Sequence, residues 1–243
     1  MTLLVTIIVL LGYLLGSIPF GLLVAKSQGV DLRAHGSGNI GATNVWRVMG
    51  KKWGLFTFFA DAIKGVIAVK LALWIARSWQ VHATLPHGQV RIAPLNEEHV
   101  GYVAIAAALG CILGHNFPVW LKFKGGKGVA TSLGVIFGMM PVPALIVFGI
   151  WAIVFKTSRY VSLASLIAAA ALPIVVIALM AFGPAQGWIA VHSWAYFYFS
   201  VAASIMVVRR HQANIKRLVA GTELRFGAKK DGEPDEPEKP AQP

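Results

Sequence analysis

Residues Val129 to Phe155 read VATSLGVIFGMMPVPALIVFGIWAIVF, and this apolar stretch decides how often the chain crosses a membrane. Pro141 and Pro143 lie near its middle, where proline ends an incoming helix and suits the first turn of the next. The sequence therefore predicts two helices, each of about 13 to 14 residues or roughly 20 Å, against a hydrocarbon core of about 30 Å. We expect both helices to fall short of the full bilayer thickness.

The basic residues of the joining segments favour the same division. Segment Lys26–Lys52 carries five lysine or arginine residues, whereas Ser78–Val100 carries only Arg91 against two glutamates. Because cytoplasmic loops are enriched in lysine and arginine, the first segment lies inside and the N-terminus outside. A single crossing by Val129–Phe155 would leave two later basic segments outside, whereas two crossings put every basic segment inside. We therefore predict seven spans, with the C-terminus inside, rather than six.

The composition is that of a multi-span helical membrane protein. Of 243 residues, 56% are hydrophobic and 13% are charged, and the mean hydropathy is +0.66. We predict an all-α bundle in which the other five spans lie at Thr2–Ala25, Trp53–Ala76, Gly101–Leu121, Val161–Gly183 and Trp188–Val208. The membrane domain would comprise residues 1–227, and the charged, proline-rich residues 228–243 would form a disordered tail.

Charge and cysteine content argue against a nucleic-acid partner, an internal disulfide and a cysteine-based metal site. The net charge of +12 is concentrated between apolar runs, as membrane topology requires, so nucleic acid is not the expected partner. The single cysteine, Cys111, excludes an internal disulfide and a cysteine-based metal site. No cofactor motif is visible, and we expect neither a cofactor nor a metal.

A glycine turn joins the third span to the fourth. It lies within Gly114–Thr131, GHNFPVWLKFKGGKGVAT. Residues 125–128, GGKG, would present bare backbone N–H groups, Lys127 adds a mobile cation, and the next helix begins with its positive dipole end. This combination predicts a phosphate cradle at the membrane surface. The spacing is not that of a P-loop, and the alternative is a lysine-rich loop that only obeys the topology rule.

The first inside loop is dense in glycine and small polar residues. It reads GSGNIGATN over residues 36–44 and is followed by Arg47. Hydroxyl and amide groups can bind a polyol or a phosphate, and a guanidinium can hold a phosphate through two hydrogen bonds. The candidate residues are Ser37, Asn39, Thr43, Asn44 and Arg47. The alternative is that the small polar residues simply form turns.

Ionisable residues inside the spans form a second group. Asp61 and Lys64 lie in the second span at an i, i+3 spacing, and we expect a structural ion pair rather than a catalytic one. His115 ends the third span. It can act as a general base, or it can hydrogen-bond a carbonyl and close the helix end.

Two further polar segments lie beside helix ends. Ser162 and Ser165 fall near one face of the first turns of a helix, where the dipole favours an anion and where serine is also a common cap. His211 and Asn214 share a helix face. The two arginines before His211 can bind the same anion or the head groups of anionic lipids.

Taken together, four segments resemble the signature segments of the bacterial PlsY family, the acyl-phosphate:glycerol-3-phosphate acyltransferases. They are GSGNIGATNVWR, GHNFPVWLKFKGGKGVAT, RYVSLAS and RRHQANIKRLVAGTE, and the resemblance extends to about Phe226. It implies an enzyme of the bacterial inner membrane, with its site on the cytoplasmic side, in contact with membrane lipids. One residue departs from the family pattern: Pro118 stands where many relatives carry a serine, which puts any role for that hydroxyl in doubt.

The implied reaction moves a fatty acyl group from acyl phosphate to the sn-1 hydroxyl of glycerol 3-phosphate. The products are lysophosphatidic acid and phosphate, and the donor implies functional coupling to an enzyme that makes acyl phosphate. We expect direct attack of the hydroxyl on the acyl carbonyl, accelerated mainly by positioning and charge neutralisation. The proton acceptor stays open between the acyl phosphate itself, His211 and His115.

The residue patterns and the resemblance together give a set of candidate site residues. The catalytic candidates are Ser37, Arg47, Lys127 and His211. The substrate-binding candidates are Asn39, Thr43, Asn44, His115, Gly125, Gly126, Gly128, Thr131, Ser162, Ser165 and Asn214, with either Ser162 or Ser165 on a phosphate.

A transporter or channel for an anionic phosphate metabolite is the alternative function. A seven-span bundle with a basic inside vestibule could serve such a role. Carriers, however, usually show inverted repeats or polar residues that continue across the bilayer. Here the polar residues are concentrated on one face, so the sequence favours the acyltransferase.

Overall fold

The computed structural model describes residues 1–84, 90–182 and 194–227. Its helices are α1 (Thr2–Gly16), α2 (Phe20–Ser27), α3 (Ala42–Met49), α4 (Lys51–Ser78), α5 (Glu97–Asn116), α6 (Val129–Met139), α7 (Pro141–Ser158), α8 (Val161–Phe182), α9 (Trp194–Arg210) and α10 (Gln212–Val219). The predicted helical bundle is confirmed. The predicted tail, residues 228–243, lies outside the described residues.

A small hairpin is the one departure from an all-α fold in these ranges. Strands β1 (Gln80–Thr84) and β2 (Val90–Pro94) follow α4 and pair antiparallel. They occupy the segment that the charge distribution places on the outside.

The surface of the bundle is that of a membrane protein. Four segments are long and apolar enough to cross a membrane: Thr2–Ser27, Glu97–Leu121, Pro141–Ser158 and Val161–Phe182. Large apolar side chains point away from the core, with Ile153 67% and Ile174 66% exposed. Outward faces of this kind require lipid rather than water. The chain is therefore a multi-pass membrane protein, while the count of seven spans and their orientation stay predictions.

The stretch Val129–Phe155 divides at Pro141, as predicted. Helix α6 ends at Met139 and α7 begins at Pro141, and Met140 between them has non-helical dihedrals of φ −136° and ψ 75°. The predicted equal lengths are wrong, because α6 has 11 residues whereas α7 continues to Ser158 and has 18. These lengths correspond to about 16 Å and about 27 Å, so only α6 is short.

The first apolar run is broken, although the sequence analysis predicted one continuous span at Thr2–Ala25. The break between α1 and α2 contains Pro19, which lacks a backbone N–H. The hydroxyl of Ser17 donates back to the carbonyl of Tyr13 at 2.7 Å. The freed carbonyl of Ile18 accepts a hydrogen bond from Nζ of Lys64 at 2.8 Å. A charged side chain of α4 thus holds the break in place.

Glycines allow two helix pairs to pack at backbone contact. A Cβ on Gly12 of α1 would lie 2.6 Å from the carbonyl oxygen of Ala107 on α5. A Cβ on Gly65 of α4 would lie 2.6 Å from the carbonyl oxygen of Thr131 on α6. The second contact fixes the beginning of α6, and with it the glycine turn, against the middle of α4.

Candidate active site

The four polar segments meet at one cavity of about 460 Å³. The predicted residues that line it are Ser37, Asn39, Thr43, Asn44, Arg47, His115, Lys127, Gly128, Ser162, Ser165, His211 and Asn214. Three other predicted residues, Gly125, Gly126 and Thr131, are not among the residues that line it. The structure therefore brings together most of the candidates from segments far apart in the chain.

The cavity is polar at one end and apolar along the rest of its wall. The apolar lining comes from α4, α6, α7, α8 and α9, and includes Phe58, Ile136, Trp151, Leu172 and Val207. Along α8 the lining runs from Ser162 to Leu172, a rise of about 15 Å. A cavity of this kind suits a molecule with an anionic head and an apolar chain.

The glycine turn is held from both sides. The N–H of Gly125 donates to the carbonyl of Asn116 at 3.2 Å, and that of Gly126 donates to the carbonyl of His115 at 3.1 Å. The guanidinium of Arg210 donates to the carbonyls of Gly125 and Gly126, at 2.9 Å and 2.7 Å. The expectation of bare amides is therefore wrong for these two glycines, which shape the turn instead. Arg210, which the sequence analysis left between anion and lipid, has a definite partner.

The cavity side of the turn consists of Lys127 and Gly128. Gly128 has φ 78° and is the N-cap of α6, a left-handed conformation that favours glycine. The first N–H groups of a helix have no partner within it, and its dipole is positive there. Burial lowers the pKa of Lys127 to about 8, although the carboxylate of Glu223 opposes this change. This end of the cavity has the character of an anion site.

Glu223 is a residue of the polar end to which the sequence analysis gave no role. Its Oε1 accepts hydrogen bonds from the Ser162 hydroxyl and the Asn214 amide, each at 2.6 Å, and its Oε2 accepts one from Nε of Arg217 at 2.8 Å. Burial raises the pKa of this carboxyl, but the hydrogen bonds outweigh burial and lower it overall. A carboxylate thus lies among groups that were predicted to hold phosphate.

The sequence of this chain is similar to those of known proteins. Residues 6–221 match the family model described as glycerol-3-phosphate acyltransferase. The chain belongs to the glycerol-3-phosphate acyltransferase family. It is 42% identical to the glycerol-3-phosphate acyltransferase of Thermosynechococcus vestitus over 91% of this chain and 95% of that protein. It is 45% identical to that of Sinorhizobium medicae over 90% of each chain.

Solved structures show the same fold. The crystal structure of PlsY, an integral membrane glycerol 3-phosphate acyltransferase, in its glycerol 3-phosphate form matches with a TM-score of 0.73 and 37% identity, covering 92% of this chain and 96% of that one. Its lysophosphatidic acid form matches with a TM-score of 0.72 and 36% identity, covering 92% and 95%. The predicted resemblance to the PlsY family is confirmed.

Within this acyltransferase fold, the two candidate serines have different surroundings. The hydroxyl of Ser162 donates to Glu223 at the polar end. The hydroxyl of Ser165 donates to the carbonyl of Val161 at 2.8 Å and accepts from Nε1 of Trp151 at 3.2 Å. Ser162 therefore faces the polar groups, whereas Ser165 lies at the beginning of the apolar wall.

In the first loop of this acyltransferase, the side chains of two asparagines form hydrogen bonds to the backbone and stabilise the turn. Oδ1 of Asn44 accepts from the backbone N–H of Ser37 at 2.7 Å, and its Nδ2 donates to the carbonyl of Leu32 at 3.1 Å. Oδ1 of Asn39 accepts from the N–H of Gly41 at 2.9 Å. The turn-forming alternative therefore describes the side chains of Asn39 and Asn44.

The segment after α10 crosses the polar end of the acyltransferase cavity. Nη2 of Arg47 donates to the carbonyl of Leu224 at 3.1 Å. The ring of Phe226 packs edge-on against Trp46, with 5.1 Å between centroids. The last described residues of the chain, 221–227, thereby join α3 to the site.

His211 lies neutral at the cavity wall. Its Nδ1 lies 2.7 Å from the carbonyl of Val207, which requires the proton on Nδ1 and leaves Nε2 as an acceptor. Burial, together with the nearby cation of Lys127, lowers the pKa of His211 to about 4, although the hydrogen bond to Val207 opposes this change. A group with this pKa is a weak base at neutral pH.

The predicted ion pair between Asp61 and Lys64 is confirmed, with 2.7 Å between Oδ1 and Nζ. Lys64 Nζ also lies 3.0 Å from Nδ1 of His115. The ring of His115 therefore contacts a buried cation, and the expected hydrogen bond from this ring to a carbonyl is not among the contacts of the described residues.

Proposed function

We propose that this protein transfers a fatty acyl group from acyl phosphate to the sn-1 hydroxyl of glycerol 3-phosphate. The observation that supports this most strongly is the shape and lining of the cavity, cationic at one end and apolar along the rest. One proposed substrate is a small phosphate, and the other is a phosphate with a long apolar chain. The glycerol-3-phosphate acyltransferase relatives and the two PlsY forms support the same reaction.

The acyl phosphate would lie with its head at Lys127 and Gly128 and its chain along the apolar wall. The beginning of α6 supplies a positive dipole end and unpaired N–H groups for the phosphate. Lys127 adds a charge that can move between the two substrates.

Glycerol 3-phosphate would bind beside it, among Ser37, Arg47, Ser162, His211 and Asn214. Arg47 would hold its phosphate, because a guanidinium offers paired donors to phosphate oxygens. The neutral Nε2 of His211 can accept a hydrogen bond from a glycerol hydroxyl. A phosphate at this place would share Ser162 and Asn214 with the carboxylate of Glu223.

The reaction would be a single displacement at the acyl carbonyl. The sn-1 oxygen forms a bond to the carbonyl carbon, the bond from that carbon to the phosphate oxygen breaks, and phosphate leaves with the hydroxyl proton. A phosphate group with a pKa of about 6 is a better acceptor for this proton than a histidine with a pKa of about 4. The protein contributes positioning and charge neutralisation, with Arg47 and Lys127 as the main cations.

We place the site at the cytoplasmic face of the bacterial inner membrane. The cations around the polar end, among them Arg47, Lys127 and Arg217, accord with the enrichment of basic residues on that side. A water-soluble substrate would enter from the cytosol, and an acyl phosphate would enter through the bilayer. The proposal implies an enzyme in the same cell that produces acyl phosphate.

The test is a direct assay of the purified full-length protein in lipid. Palmitoyl phosphate and labelled glycerol 3-phosphate should give labelled lysophosphatidic acid. Lys127→Ala should reduce kcat/KM at least about a hundredfold, because a phosphate would lose its cation. Lys124→Ala is the matched control from the same turn, with an exposed side chain, and should keep wild-type turnover. Absence of labelled product, together with uptake of anions into liposomes, would overturn the proposal in favour of a carrier.

A further inference from the structure

Helix α10 presents one face to the polar end of the cavity. His211 at its N-cap, Asn214 and Arg217 follow one another at intervals of three residues, which places them on the same side of the helix. All three line the cavity. His211 and Asn214 belong to the proposed site for glycerol 3-phosphate, whereas Arg217 has so far been given no part in it.

A turn after α10 carries Glu223 back onto this face. Gly221 has φ 70°, and its N–H donates to the carbonyl of Leu218 at 3.2 Å. The N–H of Thr222 donates to the carbonyl of Arg217 at 2.8 Å. These two bonds form a Schellman motif, which reverses the chain at the end of a helix. The reversal brings the Glu223 carboxylate against α10, where its Oε2 accepts from Nε of Arg217 at 2.8 Å.

Glu223 already occupies part of the donor set beside the proposed phosphate. The Ser162 hydroxyl has a single hydrogen, which it donates to Oε1 of Glu223. The Asn214 amide has two hydrogens and donates one of them to the same oxygen. While Glu223 keeps both bonds, these two side chains together offer a ligand one N–H. A phosphate dianion presents three strongly accepting oxygens, so it requires further donors.

The guanidinium of Arg217 has uncommitted donors at this place. Of its five N–H groups, the one on Nε is donated to Glu223, which leaves those on Nη1 and Nη2. Among residues 1–84, 90–182 and 194–227, the guanidinium has no other hydrogen bond or ion pair. Its side chain is 39% exposed, so a ligand from water can reach it. Because the carboxylate holds Nε, the Nη1 and Nη2 edge is free to form two parallel bonds to a phosphate.

Arg217 also belongs to a group of cations that act on one another. Burial lowers the pKa of Lys127 to about 8, and the charges of Arg217 and Arg47 add to this change, while Glu223 opposes it. Burial lowers the pKa of Arg47 too, with Arg217 again adding to the change and Glu223 opposing it. Three positive charges thus face one carboxylate. The empty polar end therefore has an excess of positive charge, which a bound phosphate would neutralise.

We infer that Arg217 binds the phosphate of glycerol 3-phosphate through its Nη1 and Nη2 groups. The inference rests on the proposed function for the identity of the ligand. Glu223 links Arg217 to Ser162 and Asn214, which lie in the place proposed for this substrate, rather than to the glycine turn proposed for the acyl phosphate. Arg217 is thus a specificity-determining residue, which favours the phosphorylated glycerol over free glycerol.

Phenylglyoxal, which reacts with accessible guanidinium groups, tests the contact in the wild-type protein without turnover. Peptide mass spectrometry of the full-length protein in lipid gives the rate of modification at each arginine. Saturating glycerol 3-phosphate should slow the modification of Arg217 at least about fivefold, because a bound phosphate covers both Nη groups. Glycerol should not slow it, and the exposed Arg209 should react equally fast in every case. An unchanged rate at Arg217 with glycerol 3-phosphate would refute the inference.

Substitutions test the same contact through the two Michaelis constants. Arg217→Gln should raise KM for glycerol 3-phosphate at least about tenfold, because two charged hydrogen bonds are lost. The KM for palmitoyl phosphate should not change. Lys216→Gln is the matched control, since it removes the same charge from the next residue of α10, whose side chain is exposed and does not line the cavity. An unchanged KM for glycerol 3-phosphate in Arg217→Gln, or an equal rise for both substrates, would overturn the inference.

Arg217→Lys guards against loss of folding, because a lysine keeps the charge and can keep the ion pair with Glu223. It offers a point charge instead of paired donors, so its KM for glycerol 3-phosphate should lie between those of the wild type and the glutamine variant. Melting temperatures show which variants are folded. If the glutamine variant is not, a lysine variant with wild-type KM would overturn the inference. Protection of Arg217 in a protein that forms no lysophosphatidic acid would refute the proposed reaction alone, and acyl transfer with Arg217 unprotected would refute this inference alone.

Discussion

The pKa of Lys127 gives a prediction with opposite consequences for activity and stability. Burial lowers this pKa from its ordinary value of 10.5 to about 8, and the neighbouring arginines Arg217, Arg47 and Arg210 add to the change while Glu223 opposes it. At about 1.4 kcal/mol per pKa unit, this corresponds to a cost of roughly 3 kcal/mol for holding the charge in the empty site. A bound phosphate dianion reverses that cost, so it should bind mainly to the protonated lysine.

The expected result is an alkaline decline in activity. Phosphate monoesters with a second pKa of about 6 are already dianionic above pH 8, so the substrate does not change charge in this range. Above about pH 8, kcat/KM for glycerol 3-phosphate should fall roughly tenfold per pH unit as free Lys127 loses its proton. Lys127→Arg should not show this decline, because a guanidinium stays charged throughout.

The assay measures labelled lysophosphatidic acid from about pH 6.5 to about pH 9.5, with spontaneous hydrolysis of the acyl phosphate subtracted at each pH. A wild-type profile that is flat over this range would refute the assignment of Lys127. The same decline in the arginine variant would refute it as well, since another group would then be titrating.

Stability should change in the opposite direction. Because the folded-state pKa is lowered, the unfolded chain binds more protons between pH 8 and pH 10.5, and the free energy of unfolding rises over this interval. Thermal unfolding without substrate should therefore show wild-type protein gaining stability relative to Lys127→Met as pH rises through 8. A loss of stability relative to this variant would contradict the buried position of the ammonium.

Three further changes test other parts of the site. Gly126→Ala should abolish activity or folding, because its methyl group would collide with Nε2 of His115. The control is Gly149→Ala on α7, where the added methyl group would contact no neighbouring atom, so activity and melting temperature should stay unchanged. Arg210→Gln should reduce kcat/KM at least about tenfold, because two carbonyls of the turn lose a charged donor. Arg209→Gln, with an exposed side chain, is its matched control. Equal activity of the two variants would show that the hydrogen bonds from Arg210 to the turn do not matter for catalysis. Deletion of residues 228–243 should leave kinetics unchanged, and a large loss of activity in the shortened protein would show that the tail contributes to the site.

The sequence predicted the bundle and the break at Pro141 because long apolar runs, proline and basic loops are local signals. It did not predict the lengths of α6 and α7. Helix α6 begins at Val129 as predicted but ends at Met139, where Met140 leaves the helical conformation, and α7 continues past the predicted end at Phe155 to Ser158, where Arg159 has φ 62°. Both ends depend on backbone conformations that flanking residues alone do not specify. The break at Pro19 had the same kind of signal as the break at Pro141. It was missed because the hydropathy of the run continues across it.

The sequence predicted those site residues whose side chains alone imply their chemistry. It did not predict groups whose hydrogen-bond partners depend on contacts between distant segments. Lys127 and Arg47 carry cations that any anion site requires, and both line the cavity. The amides of Gly125 and Gly126 donate to α5 carbonyls, a contact that depends on how α5 ends. Glu223 carried a readable signal, since an acidic residue beside a basic helix is unusual in a chain with 10 acidic residues against 22 basic ones.

The segment that joins Arg47 to Leu224 and Trp46 to Phe226 has a consequence for biosynthesis. Its partners on α3 emerge from the ribosome early, whereas the segment itself is among the last parts of the described chain to be made. The polar end of the cavity is therefore incomplete until residues 221–227 have been made, even if the preceding helices have already inserted into the bilayer. Catalytic competence should appear only once residues 221–227 have been made, and nascent chains arrested before residue 221 should be inserted but inactive.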